Sequence, residues 1–157
     1  MDIDTIVREQ LRTLLEGGNA HMTFDEAIAN FPHEQMNTKP QNVPYTLWQL
    51  LEHIRMAQWD ILEFIRNPQY VSPPWPEGYW PVESVQADEV AWEKTLVSFR
   101  ADLQSLLIMV SDSEVNLYSP IPHGNGQNIL REILVVADHS AYHISEFATF
   151  RQVMATW

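Results

Sequence analysis

Residues 45–68 read Tyr45-Thr46-Leu47-Trp48-Gln49-Leu50-Leu51-Glu52-His53-Ile54-Arg55-Met56-Ala57-Gln58-Trp59-Asp60-Ile61-Leu62-Glu63-Phe64-Ile65-Arg66-Asn67-Pro68. Thr46 through Gln49 has the form of a capping box, with Tyr45 and Leu50 placed as a hydrophobic staple across it. Leu47, Leu50, Leu51, Ile54, Ile61, Leu62 and Ile65 then recur at helical spacing as one apolar stripe, which Asn67-Pro68 ends. His53 falls on the shoulder of that stripe, about 40° from Ala57 at ~100° of rotation per residue. That places it at the edge of a core. Trp48 and Trp59 point away from the stripe and make, with Met56, a second apolar face. Such a face is either a subunit interface or a surface packed under a loop.

Three further long helical patterns surround this one. The first spans Asp4 to Glu16, with Ile3, Ile6, Val7, Leu11, Leu14 and Leu15 as its apolar set and Gly17-Gly18 as its stop. A short helix follows, because Thr23-Phe24-Asp25-Glu26 is another capping box, closed by Asn30 to Pro32. The third long helix starts at Asp88, an N-cap with Glu89 in the first turn, and carries Trp92, Leu96, Phe99, Leu103, Leu106 and Val110 on one face. The fourth runs from about Asn128 to Arg151, with Ile129, Ile133, Val136, Ser140 and Phe147 as its buried stripe. Between the second and third lies a segment, residues 68–81, holding five of the ten prolines. Proline removes backbone donors and fixes φ, so this segment is neither helix nor central strand. Trp75, Tyr79 and Trp80 anchor it, as a packed connector in the preferred reading and as one wall of a pocket in the other. No strand-period run competes. The expected architecture is all-α, a four-helix bundle with long irregular connections, filling one domain over residues 1–157.

Composition excludes several classes of function. Nine basic against 21 acidic residues give a formal charge of −12, so phosphate backbones and anionic lipid surfaces are repelled on average, and no nucleic-acid partner is expected. No apolar run is long enough to span a bilayer and no targeting segment is evident, so a soluble, cytoplasmic protein with no membrane partner is expected. Cysteine is absent. Any metal must therefore be held by nitrogen and oxygen, and any thiol chemistry needs a thiol from a second molecule. No G-x-S-x-G turn or Gly-rich phosphate loop occurs.

The chemistry concentrates in Asp138-His139-Ser140-Ala141-Tyr142-His143. Histidines four apart on a helix stack one turn apart on the same face, and both lie on the shoulder of the fourth helix as His53 does on the second. Three neutral imidazoles from two neighbouring helices can surround one divalent cation at about 2.0–2.2 Å and leave a coordination position open. Each histidine taken singly reads more simply as a hydrogen-bonded residue at the core's edge; the three together favour the metal. Gln49, Asp60 and Glu146 lie within a turn or two of these histidines and are candidates to orient a ligand imidazole, although each reads first as a capping or solvated residue. His21, His33 and His123 read as exposed loop histidines, with His123 close enough in sequence to the fourth helix to approach the site.

The stretches Tyr45 to Arg55, Ala57 to Leu62, the Pro-Trp-Pro and Tyr-Trp-Pro loop, Ile121-Pro122-His123-Gly124, and Leu130 through His143 to Arg151 resemble the DinB-like (DinB/YfiT) family of metalloenzymes. The likeness covers nearly the whole chain. It implies a four-helix bundle with a three-histidine metal site carried onto His53, His139 and His143, Zn or Ni as the metal, and a homodimer. It also implies a low-molecular-weight thiol as cosubstrate, in S-transfer or thiol-dependent isomerisation of a small-molecule substrate. A dication favours the deprotonated, nucleophilic sulfur, which suits a chain with no cysteine of its own. A metal-dependent hydrolase using bound water and a non-enzymatic metal-binding stress-response protein are the alternatives.

Overall fold

Five residues with short polar side chains decide where the helices begin. Asp2, Thr23, Thr46, Asp88 and Asn128 each accept a hydrogen bond from the backbone N–H three residues on, satisfying a donor that the first turn leaves without a helical acceptor. The computed structural model describes residues 2–157. In it α1 is Ile3–Glu16, α2 Phe24–Ile28, α3 Leu47–Arg66, α4 Glu89–Ser111 and α5 Ile129–Val153, with single 3-10 turns at His33–Gln35 and Glu77–Tyr79. The capping boxes at Thr23 and Thr46 are both complete, with Glu26 and Gln49 bonding back to the cap backbone.

The four long helices close a ring. α3 packs against α4 and α5, α1 packs against the same two from the opposite side, and α2 lies on α5. The fold is thus an all-α four-helix bundle, with no strand among the described residues. No helix among them is long and apolar enough to cross a membrane. The core has two parts. One gathers Phe24, Phe31, Leu50, Ile54, Trp92 and Phe147 around α2 and the start of α3; the other gathers Leu11, Leu62, Leu106, Leu117 and Ile133 around α1 and the far end of α3. Each such side chain removed from water stabilises the fold by about 1.5–3 kcal/mol before chain entropy is set against it.

Two expectations are corrected. Trp48 is only 6 % exposed, and its indole N–H donates to Thr95 Oγ1 at 3.1 Å, so the proposed second apolar face of Trp48, Met56 and Trp59 does not exist. α4 covers Trp48, while Met56 is half-buried and Trp59 is exposed, its ring edge-on to Tyr70 at 5.4 Å. On α1 the helix starts at Ile3, and Ile3, Ile6 and Leu14 are exposed while Leu11 and Leu15 are buried. The helix rests on the bundle along a narrower line than its apolar residues suggest.

The proline segment is drawn back over α3. Asp60, buried on α3, accepts a hydrogen bond from the Tyr70 hydroxyl at 2.9 Å, and the Tyr79 phenol lies near the same carboxylate. Burial, and then the Asp60 carboxylate, push both phenols above their ordinary range, so they stay protonated. The tether lays residues 79–80 across the face of α3 that carries His53.

Candidate metal centre

α3 and α5 are neighbours, so the shoulder of one faces the shoulder of the other. His53 from α3 meets His139 and His143 from α5, and one ring nitrogen from each lies within 4.8 Å of the others. The ring centroids stand 4.9 Å apart for His53 and His139, 4.8 Å for His53 and His143, and 4.5 Å for His139 and His143. His53 is 2 % exposed, deeper than the edge-of-core position its register suggests, whereas His139 and His143 are half-buried. The cluster is closed on the α3 side, and on the α5 side His139 and His143 keep a partly exposed edge.

Hydrogen bonds aim the rings. His53 Nδ1 lies 2.8 Å from the Tyr79 carbonyl oxygen, which can only accept; Nδ1 therefore carries the proton and Nε2 presents its lone pair inward. His143 Nδ1 lies 2.7 Å from Glu146 Oε2, which fixes the same tautomer there. His139 Nε2 is 3.1 Å from His53 Nε2. Two imidazole nitrogens on one tetrahedral ion stand about 3.3 Å apart at bond lengths of ~2.0–2.1 Å. The donor set and its spacing therefore fit a single first-row dication, with backbone and carboxylate partners behind two of the three imidazoles.

The electrostatics agree. Burial, and then the neighbouring His143 and His53, drive the His139 imidazole down to about 3. Burial likewise lowers His53, against the pull of the Tyr79 carbonyl. Both rings are neutral at pH 7, the state a metal needs. Burial works to raise Glu146, but the bonds from His143 and Tyr45 outweigh it and hold the carboxyl below its ordinary value.

An aromatic frame completes the site. Trp80 lies flat on His53, centroids 4.0 Å apart and planes 3° from parallel, and stacks on Tyr45 at 4.6 Å on its other side. The Tyr45 hydroxyl donates to Glu146, which in turn accepts from His143. His53 and His143 are thereby connected through Trp80, Tyr45 and Glu146 as well as directly. The proline loop, read first as a packed connector, is both connector and wall, because it supplies Tyr79 O and Trp80.

The weaker sequence candidates separate clearly. Glu146 touches a histidine of the cluster. Gln49 does not: its amide caps α3 at Thr46 and donates to Glu83 O at 3.2 Å. Asp60 holds Tyr70 and reaches His53 only through the loop. His123 is half-buried rather than exposed, bonded through Nε2 to Phe64 O, eleven residues and about 16 Å of helix rise from His53. His21 and His33, also half-buried rather than exposed, bond Met22 O and lie against Trp92. Trp80 reads from sequence as an anchor of the loop, but its stacking on His53, the Tyr45–Glu146 bond and the Tyr79 carbonyl were not foreseen. Tyr45 reads from sequence as a staple, and a backbone carbonyl has no residue signature at all.

A search of curated proteins and a search of solved structures each return no match. Residues 18–147 match the family model described as the DinB superfamily. That match and the three-histidine group fit a metal-dependent protein. The matched span takes in α2, α3, the proline loop, α4 and α5 as far as Phe147, with all three histidines, and the chain belongs to the DinB superfamily.

Proposed function

We propose that this protein is a metal-dependent S-transferase in which His53, His139 and His143 hold one dication, Zn or Ni, and a low-molecular-weight thiol is the cosubstrate. The observation that carries the reading is the asymmetry of the cluster. Three inward nitrogens are closed off on the α3 side by Trp80 and Tyr79, while His139 and His143 border solvent. Three protein ligands leave room for an exogenous one.

When bound, the dication supplies the positive charge that favours a thiolate over a thiol near neutral pH. The thiol proton passes to solvent, a sulfur lone pair forms the new S–C bond, and the leaving group departs with the electrons of the bond it breaks. The chain's own part is positional. Tyr79 O and Glu146 keep two imidazoles in the ligating tautomer, and Trp80 excludes water from the back of the site. A free thiol as cosubstrate also suits a reducing compartment such as the cytosol.

The test is conjugation of a reactive electrophile with a panel of small thiols, using protein loaded with Zn or Ni. The reading requires turnover that His139→Ala abolishes. Inactivity across the panel, with ester or amide hydrolysis in its place, would replace the transferase by a hydrolase.

A further inference from the structure

Among the described residues, the segments that build the histidine cluster's wall and its α5 side carry no free cation. Residues 67–88, which form the wall, and residues 132–150, which carry His139 and His143, contain neither Lys nor Arg. Of the nine Lys and Arg side chains, seven are held in ion pairs with carboxylates, including the two nearest in sequence to the site on α3 and its approach, Arg55 with Glu52 and Lys39 with Glu83. Arg151 is buried and directs its terminal Nη groups to the carbonyls of Ala27, Ala29 and Thr156. That leaves Lys94, exposed on α4, and no Lys or Arg is among the charges that shift His53, His139 or Glu146. Glu77 and Asp138 are exposed nearby, and the chain as a whole is at −12. An anionic substrate would find repulsion everywhere except at the metal itself.

The site does offer aromatic surface. Trp75 stands with its ring 6.4 Å from that of His53 and yet is 67 % exposed; Tyr142 stands 4.8 Å from His143 and is 70 % exposed. Each is anchored on one side, Trp75 against Tyr79 at 5.1 Å, and bare on the other. Large rings left in water beside an electrostatically acidic, metal-ready cluster are suited to an uncharged apolar body, which they can cover at no desolvation cost of charge.

Resting on the metal centre proposed above, we propose that the site selects an uncharged ligand with an aromatic or comparably apolar body, held against Trp75 and Tyr142, and discriminates against substrates carrying a second negative charge. The donor atom goes to the metal and the body to the rings.

The experiment uses full-length protein loaded with cobalt and reads the change in its visible and charge-transfer absorption. The probes are phenylmethanethiol, 2-mercaptoethanol and 2-mercaptoethanesulfonate, together with benzohydroxamate and acetohydroxamate as oxygen donors. Phenylmethanethiol is expected to bind about tenfold more tightly than 2-mercaptoethanol, as ring burial of this kind warrants. The sulfonate is expected to bind more weakly than 2-mercaptoethanol, and Trp75→Ala with Tyr142→Ala to remove the aromatic preference while cobalt stays bound. Equal affinities, or tighter binding of the sulfonate, overturn the inference and leave the thiol reading standing. Silence from every thiol, with benzohydroxamate still preferred over acetohydroxamate and dependent on the two rings, sinks the thiol reading and keeps the inference. Failure to take up cobalt overturns both. If the paired substitution instead splits a dimer and leaves the ligand order unchanged, the rings are a contact between copies and the inference is wrong.

Discussion

At the residue scale the account rests on which nitrogen of each imidazole carries a proton. Glu146 is the side chain that decides this for His143, and Tyr45 holds Glu146 in turn. Glu146→Ala is expected to weaken metal retention by about 10–100-fold against a competing chelator, with helical content unchanged, the usual effect of losing such an outer partner. Retention equal to the unaltered protein would show the contact to be incidental. The metal-free protein carries a second signature. His139 is held near 3 in the fold against an ordinary value of 6.5, so below 6.5 the unfolded chain takes up a proton that the fold refuses. Stability contributed by neutral His139 is complete above pH 6.5 and declines as pH falls toward about 3. Urea midpoints of metal-free protein should therefore drop steadily between pH 6.5 and 4, and His139→Asn should flatten that part of the slope. The histidines were legible because helix register is written in the sequence. Their orienting partners were legible only where a side chain did the work within the same helix, as Glu146 does for His143.

At the element scale the decisive piece is the connection between α3 and α4. Its prolines announced a non-helical segment, but the direction in which it turns depends on the Tyr70 hydroxyl finding a buried carboxylate. Sequence distance gives no hint of that. Asp60→Ala removes the acceptor for Tyr70 and the carboxylate near Tyr79, and it is expected to raise amide exchange in residues 69–80 while α4 and α5 keep their protection. Metal retention should fall severalfold in the same variant, because Tyr79 O no longer holds His53. Unchanged exchange in the loop would contradict the tether. The capping boxes were the most readable elements in the chain, each a local exchange between two side chains and two backbone N–H groups. Trp48 was the least: its side of α3 is defined by α4, forty residues away, and no period within α3 could reveal the cover.

At the scale of the whole molecule the bundle is a frame that sets two helix shoulders face to face. Phe147 joins them, buried completely on α5 one turn beyond His143 and touching Phe31. Phe147→Ala is expected to cost about 3–5 kcal/mol, lowering Tm by roughly 10 °C or more for a chain of this size. A loss below ~1 kcal/mol would mean the packing at the site's end is looser than described. The helical pattern alone makes the architecture plain, since four amphipathic stripes with no competing strands have few other ways to bury themselves. The function was legible only as far as the ligand set. The most direct test is X-ray absorption at the metal edge of zinc-loaded protein. Three imidazole nitrogens at about 2.0 Å and one further light atom or sulfur are the result expected, falling to two imidazoles in His139→Ala. Fewer than three imidazoles in the unaltered protein, or an unchanged spectrum in the variant, would contradict the three-histidine centre.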